Sequence, residues 1–223
     1  MDFIENTDSD MLMLSLAQQL SRDLRAALTR RERALFVVPG GTTPGPVFDL
    51  LAAVELDWDR VDIIPGDERW LPADHPRSNA GLLQARLLRS KAAGARLIPL
   101  RLDRPTPEIC AAEVSAILEP LLPIDVALLG MGADMHTASL FPGAEELEAA
   151  LAADAPAVLA IHAPGAPEPR LTLSARALKS AFALHVLITG PEKRAALDRA
   201  RNLPPLEAPI AALLGQASVH WAP

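Results

Sequence analysis

One cysteine in 223 residues leaves no partner for an internal disulfide, so cross-linking cannot stabilise this chain. Cys110 stands in a helical pattern, where a small buried apolar role suits it, and such scarcity of cysteine fits a reducing, cytoplasmic setting. Positive charge is scarce too: 21 Lys and Arg against 28 Asp and Glu give a net charge of −7. Without a global basic field, nucleic acid and anionic membrane surfaces are poor partners, and any anionic ligand needs cations gathered locally. No apolar run approaches the length of a membrane span. The apolar stretch at 11–16 follows acidic rather than basic residues, so a targeting segment is not expected there. Repeats, low-complexity tracts and linker-like segments are also missing, which predicts a single domain over 1–223.

What is present is 50% hydrophobic content, enough for a sizeable core, arranged as strand and helix patterns in alternation. Near the start, Leu12, Leu16, Leu20, Leu24 and Leu28 recur every four residues, a helix stripe that Ser9 or Asp10 could cap. Strand patterns follow at 34–38, 61–64, 96–100, 124–129, 158–162, 183–189 and 218–221. Helix patterns fall at 44–54, 78–90, 107–121, 144–152, 174–181, 191–201 and 208–214. Many of the 21 prolines open helices, as Pro44, Pro107 and Pro191 do, at positions whose N–H has no helical partner anyway. The predicted class is α/β: a Rossmann-like, mostly parallel sheet with helices on both faces.

Chemistry concentrates after the strands, where open α/β sheets bind ligands. The apolar run Ile124 to Leu129, bounded by Pro123 and Gly130, has the composition of a strand buried on both sides. Gly130 and Gly132 then turn the backbone, and Asp134 and His136 stand at the strand's end. A carboxylate two residues before a histidine suits general base work near neutral pH, so His136 is the candidate base. After the first strand, Gly40, Gly41, Thr42 and Thr43 lead into a proline-started helix, whose N–H groups can cradle an anion. No lysine follows the hydroxyls, so a nucleotide triphosphate loop is not indicated, and the pattern alone also fits a plain turn.

The next loop holds Asp67, Glu68 and Arg69, with Trp70 and Leu71 to fix it and Asn79 one residue beyond a helix-capping Ser78. Arg69 presents directed donors for a hydroxyl or an oxyanion, although a charged turn is often merely solvated. In the proline-rich stretch from His162 to Thr172, a candidate site rim, lies Arg170; Lys193 sits in a first helical turn, opposing the macrodipole unless an anion shares the site. A solvent-facing role accounts for that lysine equally well. His75, His162, His185 and His220 have no nameable partner and are expected to be structural or exposed.

The motifs PGGTTP at 39–44, GDERWLP at 66–72, SN at 78–79, DVALLGMGADMHTASLFPG at 125–143, EPRLTLS at 168–174 and GPEK at 190–193 resemble, in order, those of the 6-phosphogluconolactonase family, within the larger group that includes glucosamine-6-phosphate deaminase. The terminal His220-Trp221-Ala222-Pro223 is similar as well. The resemblance implies hydrolysis of a phosphorylated sugar lactone, 6-phospho-D-glucono-1,5-lactone, in the pentose phosphate pathway. It implies no metal and no organic cofactor. Carried across, the phosphate site falls on Gly40, Gly41, Thr42 and Thr43 with Arg170 and Lys193, joined by Asn79. Catalysis falls on His136 with Asp134, and on Asp67 and Arg69. Ser139, three residues past His136, is a rival nucleophile for which a capping or packing role is expected. A monomer or weak homodimer is expected.

One residue departs from the pattern. Met135 stands where the family carries glycine, so a left-handed backbone there would cost about 1–2 kcal/mol and the side chain is expected to reach toward the cleft. It also removes a GxGxxG match at 130–135. Two other readings stand beside the lactonase: an isomerase or deaminase of the same group, and a non-catalytic sugar-phosphate sensor disabled at Met135. The deaminases carry an aromatic residue where this chain has Arg69, which favours the lactonase.

Overall fold

The computed structural model describes residues 1–72 and 74–223. Seven strands form one sheet, all parallel: β1 (Asp2–Glu5), β2 (Ala34–Val38), β3 (Val61–Pro65), β5 (Arg96–Leu97), β6 (Val126–Gly130), β9 (Ala183–Thr189) and β10 (Ser218–Ala222). Their order is β1-β10-β9-β6-β2-β3-β5. The chain builds outward from β2 through β3 to β5, returns to β6 on the other flank of β2, and builds outward again. Between β2 and β6 the connections diverge to opposite sides, which opens a crevice at the strands' carboxyl ends.

Alternate residues of the central strands serve two cores. Phe36, Val38, Val126 and Leu128 pack with α1 (Ser9–Arg30), α2 (Gly45–Ala52) and α3 (Asn79–Arg86). Leu35, Val37, Ala127 and Leu129 pack with α4 (Pro107–Leu118), α6 (Ala175–Lys179), α7 (Gly190–Ala200) and α8 (Ala211–Leu214). The short α5 (Leu147–Leu151) joins the second core through Leu147 and Ala150. The unbroken apolar runs of these strands follow from burial on both faces, as the sequence predicts. Asp125 is buried just before β6, where its Oδ2 accepts from Leu35 N at 2.9 Å and Arg31 Nη1 at 3.0 Å, tying β6 to the start of β2.

Several expectations are corrected. Helix α1 is capped by Asp8, whose Oδ1 accepts from Met11 N, rather than by Ser9 or Asp10; the leucine stripe it carries is buried as expected. Residues 158–161 do not join the parallel sheet. They form β7 (Val158–Ile161) of a second, antiparallel sheet with β8 (Arg170–Leu173) and β4 (Asp67–Arg69), in the order β4-β8-β7. Two stretches read as loops, the charged triplet after β3 and the end of the proline-rich segment, are therefore strands. Both are too short or too polar to show an apolar period. The helix expected over 144–152 is confined to Leu147–Leu151, and that over 208–214 to Ala211–Leu214. Cys110 is buried, its Sγ 3.2 Å from Leu102 N, and burial raises its pKa, consistent with an inert thiol. Among the described residues no helix is long and apolar enough to cross a membrane.

Away from the crevice, three polar side chains are linked under α1. His185 Nε2 lies 2.9 Å from Asp23 Oδ2, and His185 Nδ1 lies 3.0 Å from Nε2 of the buried His220. Burial raises the Asp23 pKa, but bonds from His185 and Gln19 outweigh it and the net shift is downward. Burial, helped by His185, lowers His220 to about 4 from 6.5. Because the folded value lies below the unfolded one, the unfolded chain takes up this proton first, and stability is lost as pH falls from about 6.5 to about 4. His220→Gln is expected to flatten the fall of thermal midpoint across that window, by an effect worth on the order of 3 kcal/mol in the wild-type protein. Parallel pH profiles for the two proteins would contradict this assignment.

Candidate active site

A cleft of about 400 Å³ opens along the carboxyl ends of β9, β6, β2 and β3. It is lined by His136, Asp67, Arg69, Gly40, Gly41, Thr43, Asn79, Arg170 and Lys193, so nine of the eleven residues singled out from sequence share one wall system. Asp134 stands behind His136 and does not line it. Thr42 is exposed and also lies outside the lining; its carbonyl accepts Gly45 N at 3.1 Å at the start of α2.

The catalytic-looking end is set by backbone turns. Past Gly130, Gly132 N donates to His136 O at 2.9 Å, closing a tight loop that returns the imidazole beside the turn. Asp134 Oδ1 sits 2.5 Å from His136 Nδ1 and also accepts His136 N. A Cβ at Gly132 would overlap both Nδ1 of His136 and Oδ1 of Asp134, so glycine is required for this pair to close. Phe141 flanks the imidazole at a ring separation of 4.4 Å. Met135 is left-handed, with φ +67°, as the family glycine position predicts. Its side chain, however, packs against the core and not into the cleft, held where Met135 O accepts Ile210 N. The expected intrusion is absent.

The strand character of β4 sorts its three charges. Side chains alternate along a strand, so Asp67 and Arg69 face the cleft while Glu68 turns inward and is only 2% exposed. There the Glu68 carboxylate accepts from Arg69 N, Asn79 N, Ala80 N and Ser78 Oγ, sealing the N-terminus of α3. Ser78 caps that helix as expected. Asn79, also buried, donates to Asp67 O at 2.7 Å and accepts from Arg69 Nη1 at 3.2 Å. A Cβ on Gly40 would overlap the Asn79 amide, so the two loops touch through that glycine. Ser139 is fully buried, and its Oγ donates to Asp67 Oδ2 at 2.6 Å. It fixes Asp67 and has no access to the cleft, in keeping with a packing role. Sequence alone offered no signal for this bond, which spans 72 positions.

The same lining carries three cations, Arg69, Arg170 and Lys193. The antiparallel register of β4 and β8 places Arg69 directly across from Arg170. Like charges so placed repel unless an anion joins them. Arg170 is largely buried, its Nε has no hydrogen-bond partner among the described residues, and its pKa is lowered chiefly by burial, with Asp67 opposing the shift and the charge of Arg69 adding to it. Lys193 reaches the same cleft from the first turn of α7 and, among the described residues, pairs with no carboxylate. Helices α1, α3, α4 and α6 each begin under a side-chain oxygen, but α2 and α7, which open at the cleft, begin without one. The short α5 and α8 also lack such an oxygen, so it is their position at the cleft that sets the first turns of α2 and α7 apart. Among the described residues, no three His, Cys, Asp or Glu side chains cluster as a metal site.

Fold and cleft together define a class: an open α/β protein with a cation-lined cleft at its switch point and an imidazole–carboxylate pair beside it. The sequence profile described as glucosamine-6-phosphate isomerases/6-phosphogluconolactonase matches residues 7–221. A 6-phosphogluconolactonase of Mesorhizobium japonicum is 43% identical, covering 97% of this chain and 93% of that protein. One from Pseudomonas putida is 39% identical over 98% and 92%. The crystal structure of a 6-phosphogluconolactonase from Shewanella baltica superposes with a TM-score of 0.96 at 33% identity, covering 100% of this chain and 97% of that one. The chain belongs to the family of glucosamine-6-phosphate isomerases and 6-phosphogluconolactonases.

Lys193→Ala is expected to weaken binding of inorganic phosphate by about tenfold or more, with the thermal midpoint unchanged or raised, since the lysine opposes its own helix dipole. Calorimetry on both proteins checks this, and equal phosphate affinities would remove Lys193 from the site.

Proposed function

We propose that this chain hydrolyses 6-phospho-D-glucono-1,5-lactone to 6-phosphogluconate, acting as one domain over 1–223 in the cytoplasm, as a monomer or weak homodimer. The observation that carries the reading is a single cleft lined by Arg69, Arg170, Lys193 and the loop before α2 together with His136, whose imidazole is paired with Asp134. The relatives' names point to the same reaction.

The phosphoryl group is gripped by Arg170, Lys193 and the N–H groups around Gly40, Gly41 and Thr43, with Thr42 acting through its backbone. This grip supplies binding energy remote from the reacting carbon and fixes the lactone carbonyl against the imidazole. Asp134 at Nδ1 selects the tautomer with its proton on that nitrogen, leaving Nε2 as the acceptor. Nε2 takes a proton from water as the water oxygen bonds to C1, and the carbonyl electrons move onto its oxygen. Arg69 or backbone N–H groups stabilise that oxyanion. The intermediate then collapses, the bond from C1 to the ring oxygen breaks, and the imidazolium returns the proton to that oxygen. Asp67, held by Ser139 and Asn79, is placed to accept from sugar hydroxyls while balancing Arg69 and Arg170. No covalent intermediate is needed. Because Met135 packs away from the cleft, the steric ground for a non-catalytic sensor is gone.

In a coupled assay that oxidises 6-phosphogluconate with its dehydrogenase, His136→Ala is expected to lose about 100-fold or more of the rate above spontaneous opening, while phosphate affinity is kept. Gly132→Ala should lose a comparable factor, because the added methyl displaces the imidazole from Asp134. A wild-type rate no faster than spontaneous opening would overturn the enzyme reading; wild-type turnover in His136→Ala would overturn the base assignment.

A further inference from the structure

Glu168 lies two residues before β8 and is 8% exposed, yet it is no part of the cleft lining. Both of its oxygens are engaged by one guanidinium from a different loop. Arg77 Nη1 donates to Oε1 at 3.0 Å and Arg77 Nη2 donates to Oε2 at 2.8 Å, a two-pronged bond of the strongest kind such groups form. Arg170 Nη2 stands 3.8 Å from that same Oε1, too far for a hydrogen bond. Among the described residues, Arg77 and Arg170 are the cations within 4.0 Å of this carboxylate. Meanwhile Arg170, which lines the cleft, keeps a buried Nε without a partner among the described residues. Two arginines thus stand around one carboxylate, and the one that does not line the cleft holds both prongs.

We infer that Arg77 is a positioning residue that keeps the guanidinium of Arg170 available to an anionic ligand by occupying Glu168. The inference rests on the reading of the cleft as a phosphate site. A carboxylate this buried cannot stay unpaired, since an uncompensated buried charge is costly. If the Arg77 side chain is removed, Glu168 turns to the remaining neighbour, Arg170, and neutralises the charge the ligand needs. The backbone contribution of Arg77 survives such a change, because Arg69 Nη1 donates to its carbonyl oxygen at 2.5 Å. The counterintuitive consequence is that deleting a cation outside the cleft, and then also deleting an anion outside it, first weakens and then restores anion binding.

The test is a double-mutant cycle read by calorimetric binding of inorganic phosphate and by steady-state turnover of the lactone. Arg77→Ala is expected to weaken phosphate binding about tenfold and to raise KM with kcat nearly unchanged. Arg77→Lys, which still pairs with Glu168, should recover part of the loss, and Arg77→Ala with Glu168→Gln most of it. Glu168→Gln alone is expected to bind phosphate at least as tightly as the wild type, which keeps the idea open to refutation even if Arg77→Ala fails to fold. A double variant as weak as Arg77→Ala would show that Arg77 merely braces the two loops and would overturn the inference. So would unchanged phosphate affinity in Arg77→Ala. Failure of the wild-type protein to bind phosphate at all would instead overturn the reading of the cleft, and this inference with it.

Discussion

Repulsion between Arg69 and Arg170 is the constraint around which the cleft is built. Their opposition across β4 and β8 is set by backbone register, which keeps the two Cα atoms paired whatever the side chains do. A protein with a net charge of −7 has here collected two arginines, a lysine and two uncapped helix N-termini at one edge. Asp67 offsets part of this charge, and Ser139 and Asn79 hold it in place. What remains is a positive remainder whose natural complement is a multiply charged anion. Free energy not released by folding is thereby kept for binding, which is where a hydrolase can use it to fix a substrate against its base.

The second constraint is steric and falls on backbone rather than charge. Gly40 allows Asn79 to lie on the first loop, and Gly132 allows the His136–Asp134 pair to close over the turn after β6. Both glycines act through the absence of a Cβ, since neither carries a positive φ. Met135, by contrast, does carry one, and its strain of about 1–2 kcal/mol is set against partial burial of its side chain against the core and the bond from Ile210 N to its carbonyl. The direction of that side chain decides whether the substitution blocks the cleft, and it points away.

Much of this was legible in the residues because burial leaves a strong trace. β2 and β6 show as unbroken apolar runs, β3 and β9 as apolar runs interrupted by Asp62 and His185, and the loops that follow them carry the site since topology sends all four carboxyl ends to one edge. Ser78 announces its helix by its chemistry. The remainder depends on partners distant in sequence. β4 is three charged residues and becomes a strand only when β8 supplies the ladder. β8 follows a run of prolines and so resembles a loop. The inward turn of Glu68 needs the α3 N-terminus, and the bond from Ser139 to Asp67 needs the folded sheet. His185 and Asp23 meet across 162 positions, a pairing no local pattern reveals.

The account stands most directly on how a ligand lies in the cleft. A crystal structure with bound 6-phosphogluconate tests it. The phosphoryl group is predicted to contact Lys193, Arg170 and the backbone of Gly40 to Thr43, with the C1 carboxylate within hydrogen-bond reach of His136 Nε2. A ligand lying in reverse, phosphoryl against His136, or bound outside this cleft, would contradict it.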